Sequence, residues 1–145
     1  MKISIETIDV NKEEEILIRC HEVNDRILNC VKNIEKQNAD LIGYNGDSIH
    51  RLQFADVYYF EAVDNKVFIY CKNKVYESKQ KLYELEELCP PKKFFRASKS
   101  FILNISKIDF VKPSLSGRFD ATLDNGETIV VSRQYVPILK SKLGL

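Results

Sequence analysis

The chain has 145 residues, 44% of them apolar and 30% charged, and a formal net charge of +1. That is enough for one domain with a real core, or one domain with a small appended unit. No apolar run reaches the ~18 residues needed to cross a bilayer, and the alternating, acid-bearing start MKISIETIDV does not read as a signal peptide, so a cytoplasmic location is expected.

The near-zero charge conceals an asymmetry. Residues 1–48 carry 6 Lys/Arg against 10 Asp/Glu, and residues 49–145 carry 16 against 11. A polyanionic partner would therefore meet the C-terminal part. Cys20, Cys30, Cys71 and Cys89 lie far apart with no CxxC pair, the pattern of reduced cysteines in or near a core rather than of a metal site.

In chain order, Lys2 to Ile8 alternates and reads as a strand, and Ile16 to Cys20 as a second. An amphipathic helix is expected over Asp25 to Asn38. Its stripe is Ile27, Val31 and Ile34, with Leu28 and Cys30 at the margins. Asn24 suits the N-cap, and Val23 could staple against Leu28. Such a stripe needs something to pack on. Leu41–Tyr44 and Ser48–Leu52 flank a Tyr44-Asn45-Gly46-Asp47 turn and read as a hairpin.

Ala55-Asp56-Val57 is a single helical turn before the strand Tyr58–Ala62. Turns at Asp64-Asn65-Lys66 and Lys72-Asn73-Lys74 then lead into Val67–Cys71 and Val75–Glu77, an antiparallel meander. Leu82, Leu85 and Leu88 mark a short helix that Pro90-Pro91 ends. Lys107–Pro113, Arg118–Leu123 and Glu127–Val131 are three more strands. The last two are joined by Asp124-Asn125-Gly126. Ser132 is the expected N-cap of a final helix whose stripe is Val136, Leu139 and Leu143.

The segment FFRASKSFILNISKIDFV, residues 94–111, stands out. A basic, hydroxyl-rich cluster (Arg96, Ser98, Lys99, Ser100) lies between the aromatic pair Phe94-Phe95 and the apolar run Phe101-Ile102-Leu103. Anchoring on both sides would hold the donors between them at a fixed place on the surface. This order of residues resembles the signature of LytTR-type DNA-binding domains of bacterial transcription factors. Ala55-Asp56-Val57-Tyr58-Tyr59-Phe60-Glu61-Ala62, the Asp64-Asn65-Lys66 turn, the Leu-rich helix, the Asp124-Asn125-Gly126 hairpin and Val131-Ser132-Arg133 follow the family order over residues 49–145.

The resemblance implies a mainly β, α+β fold of small antiparallel sheets with short helices and no recognition helix. Residues 1–48 would form a strand–strand–helix extension, available for packing or dimerisation. It also implies a sequence-specific regulator of transcription that reads major grooves of double-stranded DNA through loops and sits as a homodimer on repeat sites. Forty-eight residues are too few for a phosphoacceptor receiver. The chain looks instead like the compact, stand-alone regulators of the family, some of which are encoded beside a small membrane protein that restrains them. That adds such a protein to the implied partners.

By motif position, three loops would carry the DNA contacts: Asn65 and Lys66 in the first, Ser98, Lys99 and Ser100 in the second with Arg96 nearby, and Ser132, Arg133 and Gln134 in the third. Family members often have His in the first loop and His or Asn in the second; Lys66 and Lys99 stand near those places here, so base preference would differ. Arginine and lysine suit guanine O6 and N7, and fixed amides and hydroxyls suit phosphates. An exposed helix start would further favour an anion beside Arg133. Arg96 has a second reading, an ion pair within the fold. Asn65 has one too, as a turn residue.

Two other functions fit parts of the pattern. One is a protein-interaction module on a LytTR-like fold with weak or no DNA binding. The other is single-strand binding through Tyr58, Tyr59, Phe60 and Phe68, although alternating aromatics more often pack in a core. His21 and His50 have no partner at metal-ligand spacing, and Glu86-Glu87 reads as a solubilising face. With no nucleophile motif, Gly-rich phosphate loop or paired-carboxylate pattern, there is no positive case for an enzyme. No cofactor, metal or small-molecule substrate is expected.

Overall fold

Strand pairing organises the chain from Leu41 onward. The computed structural model describes residues 1–37 and 40–145. A helix, α1 (Asp25–Gln37), comes first. The strands β1 (Leu41–Asn45), β2 (Ser48–Leu52), β3 (Val57–Val63), β4 (Lys66–Cys71) and β5 (Val75–Ser78) follow. Helix α2 (Leu82–Leu88) leads to β6 (Phe94–Arg96) and β7 (Phe101–Asn104). Then come β8 (Ile108–Pro113), β9 (Phe119–Leu123), β10 (Thr128–Val131) and helix α3 (Val136–Lys142). The first seven strands form one antiparallel sheet in the order β2-β1-β5-β4-β3-β7-β6, and the last three form a second in the order β10-β9-β8. This is the expected mainly β, α+β architecture.

The period-2 alternation of strand side chains lets the large sheet serve two cores. Phe60 of β3, Phe94 of β6 and Ile102 of β7 point to one, which α2 closes with Leu82 and Leu85. Tyr59, Phe95 and Leu103, their chain neighbours, point to the other, which the small sheet and α3 close with Ala121, Leu123, Ile129, Val131 and Leu139. A register irregularity between Val57 and Tyr59 puts Tyr58 and Tyr59 into the same core. The two apolar runs of the signature segment are thus each split across the sheet, and both cores hold the backbone between them.

Polar groups inside this arrangement are satisfied. The buried Asn104 amide donates to the Val57 carbonyl (2.8 Å) and accepts from the Ser106 N–H (2.9 Å). The Tyr58 hydroxyl donates to the Asp124 carboxylate, which pushes its pKa up to about 12. The Tyr59 hydroxyl donates to Glu127 Oε2 (2.6 Å), and burial, reinforced by that bond, raises its pKa as well. These two bonds tie β3 of the large sheet to the β9–β10 turn of the small one.

The N-terminal segment departs from expectation. Among the described residues no strand lies before Leu41, so Lys2–Ile8 and Ile16–Cys20 form no ladder. Alternation selects a face, but a strand also needs a neighbour for its N–H and C=O groups, and here Ile3, Ile5, Ile16 and Leu17 stay exposed. Helix α1 forms as expected up to Gln37, while the expected last residue, Asn38, lies outside the described residues. Asn24 caps it, its Oδ1 accepting from the Ile27 N–H at 3.1 Å. The Val23–Leu28 staple is not buried, because both residues are exposed. Ile27 and Ile34 are half-buried and Val31 is exposed.

The β1–β2 hairpin straddles the expected boundary at residue 48. It belongs to the large sheet: Tyr44 pairs with Glu77 of β5, and Leu41 is fully buried in the first core.

Candidate nucleic-acid interface

β3 is the element that brings the proposed loops together. It pairs with β4 on one side and β7 on the other, with Glu61 opposite both Phe68 and Phe101. The turn leaving β3 and the loop entering β7 therefore emerge at the same end of the sheet. The Ala62 N–H donates to the Ser100 carbonyl at 2.8 Å, which fixes one to the other. The third segment joins through a different tether. The Ser132 N–H and hydroxyl both reach the Ala97 carbonyl, at 2.9 and 3.3 Å. All three loops meet at one edge.

Each loop has a local cause. Asp64 and Asn65 both have positive φ, 50° and 65°, the two left-handed residues of a tight hairpin turn that Asp and Asn tolerate best. Asn65 and Lys66 are exposed at its tip. In the second loop the Ser100 N–H donates to Ser98 Oγ (3.2 Å), and the two hydroxyls lie 3.4 Å apart. This local turn leaves Lys99 exposed between half-buried serines. In the third, Arg133 and Gln134 are exposed on a single 3-10 turn, Arg133–Tyr135.

Two expectations about these residues change. Ser132 does not cap a helix with its side chain; the Ala97 carbonyl takes its hydroxyl instead. α3 begins only at Val136, so Arg133 contributes its own charge and not a helix terminus. Arg96 follows the second of its two readings. Its Nε and Nη2 donate to Glu86 Oε2 (3.1 and 2.8 Å), and its Nη1 donates to the Lys99 carbonyl (2.7 Å). Among the described residues, none of the other eight candidates makes an ion pair to a carboxylate.

Sequence reasoning missed two neighbours of the site. Glu86, read as a solubilising residue, is the partner of Arg96. Its spacing of ten residues from Arg96, across α2 and the Pro90-Pro91 break, hides the pairing. Gly117, in the β8–β9 connection, lies against Arg133: a Cβ there would sit 2.9 Å from Arg133 Cδ. Nothing in the local pattern around Gly117 signals its approach to the third loop.

Of the four aromatics considered for base stacking, three are withdrawn from solvent and Phe68 is half-buried. Tyr58, Tyr59 and Phe60 are buried, and Tyr59 is stacked on Tyr70 at 4.3 Å between ring centroids. Among the described residues no cluster of His, Cys, Asp and Glu could hold a metal ion, and no helix is long and apolar enough to cross a membrane.

Comparison with known proteins agrees with this fold. Residues 47–144 match the LytTR family, the LytTr DNA-binding domain. An HTH-type transcriptional regulator of Staphylococcus aureus is 30% identical over 100% of this chain and 99% of its own length. The sensory transduction protein LytT of Enterococcus faecalis is 32% identical over 68% of this chain and 41% of its own. A solved LytTr DNA-binding domain from Bacillus cereus superposes with a TM-score of 0.70 at 30% identity, covering 74% of this chain and 98% of that one. Despite the "HTH-type" name of the staphylococcal relative, no two of the helices α1, α2 and α3 follow one another across a short turn here. The chain belongs to the LytTR family of DNA-binding domains.

Proposed function

We propose that this protein is a sequence-specific regulator of transcription that reads double-stranded DNA through the three loops at the end of β3. The observation that carries the reading is their convergence. Donors from residues 65–66, 98–100 and 132–134, far apart in sequence, meet on one edge tied together by the Ala62–Ser100 and Ser132–Ala97 hydrogen bonds. Lys66, Lys99 and Arg133 bring positive charge to that edge, and Asn65, Gln134 and the serines bring neutral donors. Cations there suit phosphates and guanine edges, and the amides and hydroxyls suit other base edges.

Loops from separate hairpins, rather than one inserted helix, favour contacts spread over more than one groove on a single face of the duplex. Two copies on neighbouring repeats would then need those repeats in phase, about 10–10.5 base pairs or a multiple apart. In the cell the complex would be a homodimer in the cytoplasm, with a small membrane protein as a candidate restraint.

The test uses a duplex selected by the full chain from a random-sequence pool, with the repeat separated by inserted base pairs. Inserting half a turn should abolish cooperative binding, and a full turn should restore much of it. Equal binding to both would contradict a fixed pair of copies on one face. Affinity should also fall steeply with salt. A salt-insensitive interaction would favour a protein-binding role instead.

A further inference from the structure

Glu86 lies on α2, and the loop it serves lies beyond the far end of β6. The chain of contacts between them is short. Glu86 Oε2 accepts from Arg96 Nε and Nη2 at 3.1 and 2.8 Å, and Arg96 Nη1 donates to the Lys99 carbonyl at 2.7 Å. A guanidinium has five N–H donors in a rigid plane. Here one edge of that plane is held by the carboxylate, so the remaining Nη1 is aimed at the loop backbone. The Arg96 side chain is only 16% exposed, against 47% for Glu86. Phe95 and Ala97, on either side of Arg96, are buried in the second core, so the arm that carries the guanidinium is fixed at its base.

We propose that Glu86 is a positioning residue for DNA recognition, acting through Arg96 to hold the Lys99 carbonyl and so set the direction in which Lys99 leaves the β6–β7 loop. Arg96 itself faces inward as the link. This rests on the reading of that loop as a DNA contact. The sign of the effect makes the role distinguishable from direct electrostatics. Removing a carboxylate near bound DNA should, by charge alone, tighten binding. A loss of affinity on removing Glu86 has to pass through the loop it holds.

The experiment titrates fluorescent duplexes with the full chain and its variants at several salt concentrations. One duplex is selected by the full chain from a random pool, and the other is a scrambled control. Glu86→Ala and Arg96→Ala should each weaken binding to the selected duplex by about tenfold, the scale of one hydrogen bond to a charged group. The scrambled duplex should bind Glu86→Ala as before or slightly better and Arg96→Ala as before, and the slope of affinity against salt should not change. The double variant should be no weaker than either single one, because both break one link. The exchange Glu86→Arg with Arg96→Glu restores an ion pair, and with it any lost thermal stability. It should not restore binding, because a carboxylate at position 96 cannot donate to the Lys99 carbonyl. A merely structural pair would be rescued in both respects.

Glu86→Ala binding the selected duplex as tightly as the parent would overturn the proposal. So would Arg96→Ala lowering the salt slope by about one phosphate contact, which would place Arg96 on the DNA. Lys99→Ala serves as the control on the underlying reading. If Lys99→Ala weakens binding and Glu86→Ala does not, only the positioning role fails. If Lys99→Ala has no effect, the loop assignment fails with it.

Discussion

Residues 1–37 and residues 41–145 carry similar local signals and end in different states. Both contain alternating apolar runs and an amphipathic helix. In the C-terminal part each strand has a hydrogen-bonded neighbour and turns at least one face to a core. In the N-terminal part the runs around Ile3–Ile8 and Ile16–Ile18 have no ladder, and α1 keeps no residue fully buried among those described. Local pattern proposes an element, and tertiary partners decide whether it forms. The helix survives this test better than the strands because its hydrogen bonds are internal and Asn24 supplies a cap.

Core truncation should separate the two parts most sharply. Phe60→Ala removes a fully buried ring at the centre of the first core and should lower stability by about 3–5 kcal/mol. Ile5→Ala, at an exposed position, should stay within about 0.5 kcal/mol. Urea unfolding of both variants makes the comparison. Similar losses would mean that the N-terminal segment is packed into the same cooperative unit.

The link between the two sheets should respond next. The Asp124 carboxylate holds Tyr58 neutral and pushes its pKa up to about 12, from an ordinary value of 10. A folded pKa above the unfolded one contributes stability that is fully present below pH 10 and is lost as pH rises toward 12. Asp124→Asn should remove about 1–2 kcal/mol at neutral pH and bring Tyr58 ionisation to lower pH, read as phenolate absorbance. An unchanged titration would mean that the bond does not hold β3 to the β9–β10 turn in solution.

The smallest effect belongs to the N-terminal helix. Asn24→Ala should cost α1 about 1 kcal/mol of helix stability, visible as lost helical circular dichroism, and leave the melting of the β domain in place. A lower melting temperature for the whole chain would show that α1 and the sheets unfold together.

Much of the domain was legible because its signals were redundant. Asp64-Asn65 and Asp124-Asn125-Gly126 mark turns at each end of alternating strands, and Pro90-Pro91 stops α2 where a helix cannot continue. The pairing order was not legible. β1 lies beside β5 and β3 beside β7 because of faces that match across 33 to 44 residues, which periodicity does not encode. The site divides in the same way. Its loops could be named by their resemblance to a family signature, whereas their convergence through Ser100 and Ala97 carbonyls needed the fold. Arg96 shows the limit most clearly. Both of its readings were open in sequence, and the ion pair it makes depends on a glutamate from another element.

The central claim is that the β3–β4 turn, the β6–β7 loop and the start of the final segment form one DNA-reading edge. Titration of Lys99→Ala, Arg133→Ala and the double variant against a selected and a scrambled duplex tests it most directly, alongside thermal melting of each protein. Each single change should weaken specific binding by about 1–3 kcal/mol while leaving the fold in place, because both side chains are exposed. Variants that fold like the parent and bind the selected duplex equally well would contradict the account.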